Sequence, residues 1–214
     1  MSKKSRSYLS TEIVKKIKEL IFSGELTPGE QIRQDEFAER LGVSRTPLLH
    51  ALQILKSEML LESFPNRGMF VRKVSLQELK DIFEYREAIE TMACRLASQR
   101  ITRDEIQQLR DLFKPFENTT GMTHIQEYQK ADQLFHSMVI QFSGNSVFPR
   151  MVSLGNVYVT AYQKGLLRYP AETLPEHLAI IDALDAGDGQ KAEHLMRQHL
   201  SVSIKGMNQL LEAE

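Results

Sequence analysis

The stretch DEFAERLGVSRTPLLHAL, residues 35–52, predicts two short helices joined by a sharp turn. Apolar residues repeat at helical spacing up to Leu41, and Gly42 ends this first helix because glycine readily takes the left-handed backbone of a helix C-terminus. Ser44 occupies the N-cap position of a second helix, whose apolar side chains also repeat on one face. The other face of this second helix carries Arg45, Thr46, Leu49, His50 and Gln53.

A helix with a basic and hydroxylic N-terminus suits the major groove of DNA, which a recognition helix contacts mainly through its first residues. An ordinary helical hairpin is the alternative interpretation of this stretch taken alone. The predicted DNA contacts from this helix are Ser44, Arg45, Thr46 and His50.

Two short apolar segments follow, residues 59–64 and 69–74, and the sequence Pro-Asn-Arg-Gly separates them. This pattern is typical of a β-hairpin. A further helix is predicted upstream, at about residues 10–22. Three helices followed by a hairpin form the order of a winged helix-turn-helix, in which the wing reaches the minor groove or the phosphates. Arg67 and Gly68 at the hairpin tip therefore join the predicted DNA contacts.

Several short motifs in the first 74 residues form a specific array. They are Gly24–Glu30 (GELTPGE), Phe37-Ala38, Leu41–Pro47 (LGVSRTP), Ala51-Leu52, Leu55, Arg67-Gly68 and Phe70-Val71. This array resembles the GntR family of bacterial transcription regulators. The resemblance implies that the partner is a double-stranded DNA operator.

The recognition helix departs from the family pattern immediately after Pro47. The family usually continues with valine, arginine and glutamate, whereas this chain has Leu48, Leu49 and His50. Leucine cannot make a bidentate contact to guanine, although it can touch a thymine methyl group. We therefore expect DNA binding with an altered sequence preference, supported by Arg33, Arg45 and Arg67.

The charge of the chain is unevenly distributed along its length. Residues 1–74 hold 13 Lys and Arg against 9 Asp and Glu (+4), and residues 75–214 hold 14 against 19 (−5). An excess of four positive charges predicts few phosphate contacts per protomer, so operator affinity is expected to come from a homodimer bound to two half-sites.

Length and composition fit two cytoplasmic domains. A chain of 214 residues suits two domains of ordinary size, which we place at 1–74 and 75–214. Its single cysteine, Cys94, excludes an internal disulfide framework. No signal-like segment is apparent, and no stretch approaches the roughly 20 apolar residues that span a bilayer, so no membrane association is expected.

The second domain is predicted to be an all-helical bundle, which makes the fold class mainly α with a small β wing. Capping boxes at 75–78 and 102–105 open its first two helices. No strand-like alternation follows Val74. The predicted helices span about 76–100, 103–113, 123–142, 146–168, 173–186 and 189–212.

Asp132 and His136 are four residues apart and therefore share one face of a helix. His177 and His199 lie on the last two helices, and antiparallel packing could bring them level with this pair. His194 is the other candidate on the last helix, but it lies about 140° from His199 around that helix, so the two side chains cannot share one face. We choose His199 as the ligand. Three imidazoles and a carboxylate suit zinc, nickel or manganese. From the spacing alone, a simple hydrogen-bonded Asp-His pair is a more common outcome than a metal site.

The second domain also resembles a known family, the FCD effector domain of FadR-type GntR regulators. The resemblance rests on residues 86–90 (REAIE), 132–145 (DQLFHSMVIQFSGN), 176–183 (EHLAIIDA) and 192–200 (AEHLMRQHL). It implies that a divalent metal, preferably zinc, is bound by Asp132, His136, His177 and His199. It also implies that Arg86 pairs with a small organic or sugar acid effector. A salt bridge from Arg86 to Glu90 is the alternative role.

The sequence therefore predicts a transcriptional repressor whose metal-containing bundle senses a small carboxylate that modulates operator binding, and not an enzyme. A metal-dependent hydrolase or lyase using the same four residues is one alternative, but it leaves the N-terminal array unexplained. A binding module that has lost operator recognition through Leu49 and His50 is another.

Overall fold

The computed structural model describes residues 3–117, 124–151 and 168–213, which form two compact units that meet in sequence between Val74 and Ser75. The predicted fold class, a winged helix-turn-helix followed by a helical bundle, is confirmed. The roles assigned to the two segments remain predictions.

The first unit contains three helices and a three-stranded antiparallel sheet of order β1-β3-β2. Gln31 pairs with Phe70 across β1 and β3, and Phe64 pairs with Gly68 across β2 and β3. The elements are α1 (Lys3–Phe22), β1 (Gln31–Ile32), α2 (Gln34–Leu41), α3 (Arg45–Ser57), β2 (Leu61–Phe64) and β3 (Gly68–Val71).

The core of this unit forms where α1 packs against α3. Ile17 of α1 and Leu52 of α3 are both fully buried in it. Gly42 adopts the left-handed conformation, with φ +64°, and Val43 N–H donates to the Ala38 carbonyl, as in a Schellman motif. This tight end of α2 sets the sharp turn into α3, whose buried residues leave its opposite face exposed.

The second unit is helical throughout its described part. Helix α4 packs against α6 and α9, and α8 packs against α5 and α9. Its elements are α4 (Leu76–Ala97), α5 (Arg103–Phe113), a 3-10 turn (Lys114–Phe116), α6 (Ile125–Phe142), α7 (Phe148–Met151), α8 (Pro170–Asp185) and α9 (Gly189–Glu212).

Several helix starts in the structure match the capping signals of the sequence. Ser75 accepts a hydrogen bond from the Glu78 N–H, and Thr102 forms a reciprocal capping box with Glu105. Ser44 also occupies an N-cap position, although its hydroxyl accepts no cap hydrogen bond from the described part of α3.

The structure differs from the predicted elements at three places, and a fourth prediction lies largely outside the described residues. Helix α1 begins at Lys3 rather than near residue 10, and the two-residue strand β1 was not predicted. Helix α8 begins at Pro170, which the sequence analysis places in a break, because proline is well tolerated in the first turn of a helix. Of the helix predicted over 146–168, the described residues contain α7, and positions 152–167 lie outside them.

Among the described residues, none of the helices combines the length and the apolar character needed to cross a bilayer.

Candidate metal centre and nucleic-acid interface

Four side chains from three helices converge inside the bundle. Asp132 and His136 project from successive turns of α6, His177 from α8 and His199 from α9, and each offers a ligand atom within 4.8 Å of the others. The three histidines are buried and Asp132 is partly buried. The structure thus brings together the four predicted ligands, while His194 is exposed on α9.

Each of the three imidazoles is held through its Nδ1 atom by a different side chain. His136 Nδ1 lies 2.5 Å from Glu90 Oε2, and His199 Nδ1 lies 2.7 Å from Glu176 Oε2. His177 Nδ1 lies 3.1 Å from the Tyr128 hydroxyl. Since Nδ1 is occupied in all three rings, Nε2 is the atom left for a metal.

Both glutamates are themselves held by arginines. Arg86 Nε donates to Glu90 Oε1 over 2.6 Å, and both side chains are buried, with 3% and 1% exposed. Arg168 donates two hydrogen bonds of 2.7 Å to the Glu176 carboxylate. The salt bridge considered as the alternative role of Arg86 is therefore present, and the effector-binding role of Arg86 remains a prediction.

The charges around the cluster keep the two glutamates ionised. Burial tends to raise the pKa of Glu90, but Arg86, the His136 ring and their hydrogen bonds outweigh it and lower this pKa to about 2. At Glu176 burial is likewise outweighed, by the hydrogen bonds from His199 and Arg168, and the pKa is again about 2. Both glutamates are therefore charged acceptors for the imidazole N–H groups.

Two of the histidines, in contrast, have pKa values shifted towards the neutral form. Burial lowers the pKa of His177 well below its ordinary value, and a positive charge on either neighbouring imidazole lowers it further. Burial also lowers the pKa of His199, although the hydrogen bond to Glu176 partly offsets this. A metal ligand must present a free lone pair, so neutral imidazoles suit the cluster for metal binding.

One buried polar atom in the cluster supports a fit to a cation. His177 Nε2 is buried and makes no hydrogen bond among the described residues, although Asp132 Oδ1 lies 3.3 Å away. Buried polar atoms are rarely left unpaired, and an unpaired ring nitrogen beside a carboxylate is the arrangement that a cation would complete. Three imidazole nitrogens and one carboxylate oxygen form a donor set for a borderline divalent metal.

The predicted DNA contacts lie on exposed parts of the first unit. Ser44, Arg45, Thr46 and His50 are exposed at the start of α3, and Leu49 beside them is 40% exposed. Arg45 forms an ion pair of 2.6 Å with Asp35, and Arg33 pairs with Glu36 over 3.0 Å. Exposed ion pairs of this kind are weak, so a DNA phosphate can compete for both arginines.

Two aromatic side chains of the wing hold Arg67, its predicted DNA contact. The Arg67 guanidinium lies 5.8 Å from the Phe64 ring centre and 5.6 Å from that of Phe70, within the range of cation–π attraction. Gln31 Nε2 donates to the Arg67 carbonyl over 2.6 Å. Gly68 has φ +90°, a conformation that glycine adopts without strain.

Comparison with known protein families agrees with both parts of the chain. Residues 81–202, more than half of the chain, match the FCD domain, and residues 9–71 match the bacterial regulatory proteins of the gntR family. The chain belongs to the GntR family. This GntR protein is a transcriptional regulator with a helix-turn-helix domain and an FCD domain, a type of domain that fits effector binding.

Relatives of this GntR regulator include named regulators and repressors. The Nta operon transcriptional regulator of Aminobacter aminovorans is 41% identical over 118 residues, which span 55% of this chain and 56% of that protein. The HTH-type transcriptional repressor RspR of Escherichia coli is 25% identical over 86% of this chain and 82% of its own length.

Solved structures share the fold. McbR/YncC of E. coli superposes with a TM-score of 0.76 at 23% identity and covers 95% of this chain and 98% of its own. A GntR regulator from Rhodococcus sp. RHA1 gives a TM-score of 0.74 at 21% identity, with 92% of this chain and 96% of its own covered.

Three residues that hold the histidines were not predicted from the sequence to do so. Glu90 was considered only as a partner of Arg86, and Tyr128 and Glu176 were not considered. A helical spacing could have indicated Tyr128, since it lies one turn before Asp132 on α6. For Glu176 the only sequence signal is its position next to His177.

Proposed function

We propose that this GntR regulator is a homodimeric repressor whose FCD bundle binds one divalent metal through Asp132, His136, His177 and His199. A small organic or sugar acid binding at that metal would lower operator affinity. The observation that carries this proposal is the convergence of four ligand atoms within 4.8 Å of one another.

Zinc is the metal we favour, with nickel and manganese as alternatives. Zinc accepts imidazole and carboxylate ligands readily, and the buried ring nitrogens match its preference. When bound, the metal would supply a positive centre and, on a five- or six-coordinate ion, one or two open positions. Four protein ligands leave less room than the three that are usual in catalytic zinc sites, and we therefore infer a sensor and not an enzyme.

The charge balance of the cluster supports an anionic effector. The ion pairs Arg86–Glu90 and Arg168–Glu176 are each neutral overall. A divalent cation beside the single Asp132 carboxylate would leave one net positive charge in a largely buried site. Because an unbalanced charge is costly in such surroundings, a carboxylate ligand would be stabilised there.

DNA binding is proposed to use both the recognition helix and the wing. Arg45, Thr46 and His50 would contact the major groove, while Arg67 would contact the minor groove or the phosphates. Repression is proposed because the relative RspR is named a repressor. Effector control requires that the effector bind the DNA-competent and incompetent arrangements with different affinities.

Retardation of DNA fragments taken from upstream of the protein's own gene tests operator binding. The zinc-loaded protein should retard a specific fragment at concentrations that leave a scrambled fragment free, and Arg45→Ala should weaken this binding. Adding a panel of small carboxylates should release the DNA, and a matched panel of neutral sugars should not. Equal binding to specific and scrambled fragments would instead favour a module that has lost operator recognition.

A further inference from the structure

A chain of hydroxyl groups connects His177 to the N-terminus of its own helix. The Tyr128 hydroxyl lies 3.1 Å from His177 Nδ1 and 2.8 Å from Thr173 Oγ1. The Thr173 hydroxyl in turn donates to the Tyr169 carbonyl over 3.4 Å. Tyr128 and His177 are both buried, so no bulk water competes within this chain.

The carbonyl at the end of this chain gives it a direction, because a carbonyl oxygen accepts and cannot donate. The Thr173 proton is directed to the Tyr169 carbonyl, so Thr173 Oγ1 accepts from the Tyr128 hydroxyl. The Tyr128 oxygen is then left to accept a proton from His177 Nδ1. A neutral imidazole carries a single N–H, so His177 Nε2 must hold the lone pair.

The surroundings of Nε2 agree with this assignment. A proton on Nε2 would be a buried N–H that finds no acceptor of suitable geometry among the described residues, even though Asp132 Oδ1 is 3.3 Å away. The ring is also stacked on Phe113 with centroids 4.8 Å apart, and Phe135 lies 4.7 Å away on another side. Such packing restricts ring rotation, so the choice between the two nitrogens rests on the hydrogen bonds.

We propose that Tyr128 is a positioning residue that holds His177 in the Nδ1–H tautomer and thereby presents Nε2 to the metal. This inference rests on the proposed metal centre. His136 and His199 have carboxylate partners, which can only accept and therefore fix their tautomers directly. His177 has a hydroxyl partner, which could donate or accept, so its tautomer depends on the direction set by Thr173.

Two variants and one control separate this role from general packing. Tyr128→Phe removes the hydroxyl and keeps the ring. Thr173→Val keeps Tyr128 but removes its acceptor, so the Tyr128 proton is expected to turn towards His177 Nδ1 and displace the imidazole proton to Nε2. Tyr85→Phe on α4 is the matched control, because it deletes a tyrosine hydroxyl that has no hydrogen bond to the cluster in the described structure.

The tautomer can be read directly in the metal-free full-length protein. Long-range ¹⁵N–¹H NMR spectra of histidine-labelled protein distinguish a proton on Nδ1 from one on Nε2, and His177→Gln identifies the His177 signals. The wild type and Tyr85→Phe should carry the His177 proton on Nδ1, whereas Thr173→Val should carry it on Nε2. A His177 proton on Nε2 in the wild type would overturn the inference.

Zinc affinity, measured by competition with a chelating dye, provides the second readout. Tyr128→Phe and Thr173→Val should bind zinc about 10- to 100-fold more weakly than the wild type, as is usual when the partner of a metal-binding histidine is removed. Tyr85→Phe should bind as the wild type does. Wild-type affinity in Tyr128→Phe would overturn the role of Tyr128 while leaving the metal centre intact. If the wild type binds none of zinc, nickel and manganese, the proposed metal centre is wrong, and the tautomer spectra alone decide whether Tyr128 orients His177.

Discussion

Glu90 offers the sharpest test of how the bundle is held together, through the variant Glu90→Gln. This carboxylate is 1% exposed and contacts Arg86 over 2.6 Å and His136 over 2.5 Å. Glutamine keeps its size and can still accept from His136, but it leaves the buried Arg86 without this negative charge. Breaking a buried ion pair in this way typically costs about 3 to 5 kcal/mol.

The pKa of Glu90 leads to a similar magnitude. A carboxyl group whose pKa falls from 4.5 to about 2 on folding contributes roughly 3 kcal/mol at neutral pH. For a unit of this size such a loss lowers the melting temperature by roughly 10 °C.

Calorimetry in the presence of a chelator measures this change in melting temperature. The method suits this chain because it needs no tryptophan fluorescence, and the chain contains no tryptophan. Because two units can melt separately, the bundle transition is identified as the one that added zinc shifts upwards. Glu84→Gln is the control, because Glu84 is 51% exposed and forms only a surface ion pair of 3.2 Å with Lys80. Removing this ion pair should lower the free energy of unfolding by less than about 0.5 kcal/mol. Equal melting temperatures for Glu90→Gln and Glu84→Gln would refute the reasoning.

Three further predictions concern acid, backbone and DNA. Folding lowers the pKa values of Glu90 and Glu176, so the contribution of these carboxylates to the stability of the metal-free bundle is complete above about pH 4.5. This contribution is lost as the pH falls towards 2. An acid titration followed by circular dichroism measures the loss. Gly42→Ala should lower the free energy of unfolding by about 1 kcal/mol, because φ is +64° there. Gly206→Ala lies within α9, where an added Cβ meets no atom within 4 Å, and it should raise the free energy of unfolding by roughly 0.5 to 1 kcal/mol. Urea unfolding of the two variants measures both changes. Arg67→Ala should weaken operator binding and reduce the slope of log affinity against log salt by about 1, and an unchanged slope in retardation titrations would exclude a phosphate contact.

Local signals were sufficient to predict most of the fold. Helical spacing, Gly42 and the Arg-Gly hairpin tip gave the winged helix-turn-helix, because each feature acts within a few residues of the chain. The strand β1 was missed because it has two residues and derives its pairing from β3, about 40 positions later. The start of α8 was misplaced because a proline can either break a helix or begin one.

The metal cluster was only partly predictable from the residues. Asp132 and His136 share a helix face, so their spacing was informative. His177 and His199 were placed beside them by an expected antiparallel packing of the last two helices and by the family resemblance, because no spacing along the chain links them to the first pair. Glu90 is one of 28 acidic residues in the chain. Its selection as a partner of His136 depends on the packing of α4 against α6, which no local pattern encodes.

Metal content tests the central claim most directly. The protein purified without chelator, or reconstituted and then desalted, should contain about one zinc, nickel or manganese ion per chain, because the four ligands build a single site. Asp132→Ala and His177→Ala should both lose this metal, whereas His194→Ala should retain it, since His194 is exposed and apart from the cluster. A wild type that contains no metal even after reconstitution with all three ions would contradict the account and make the four residues a polar core cluster.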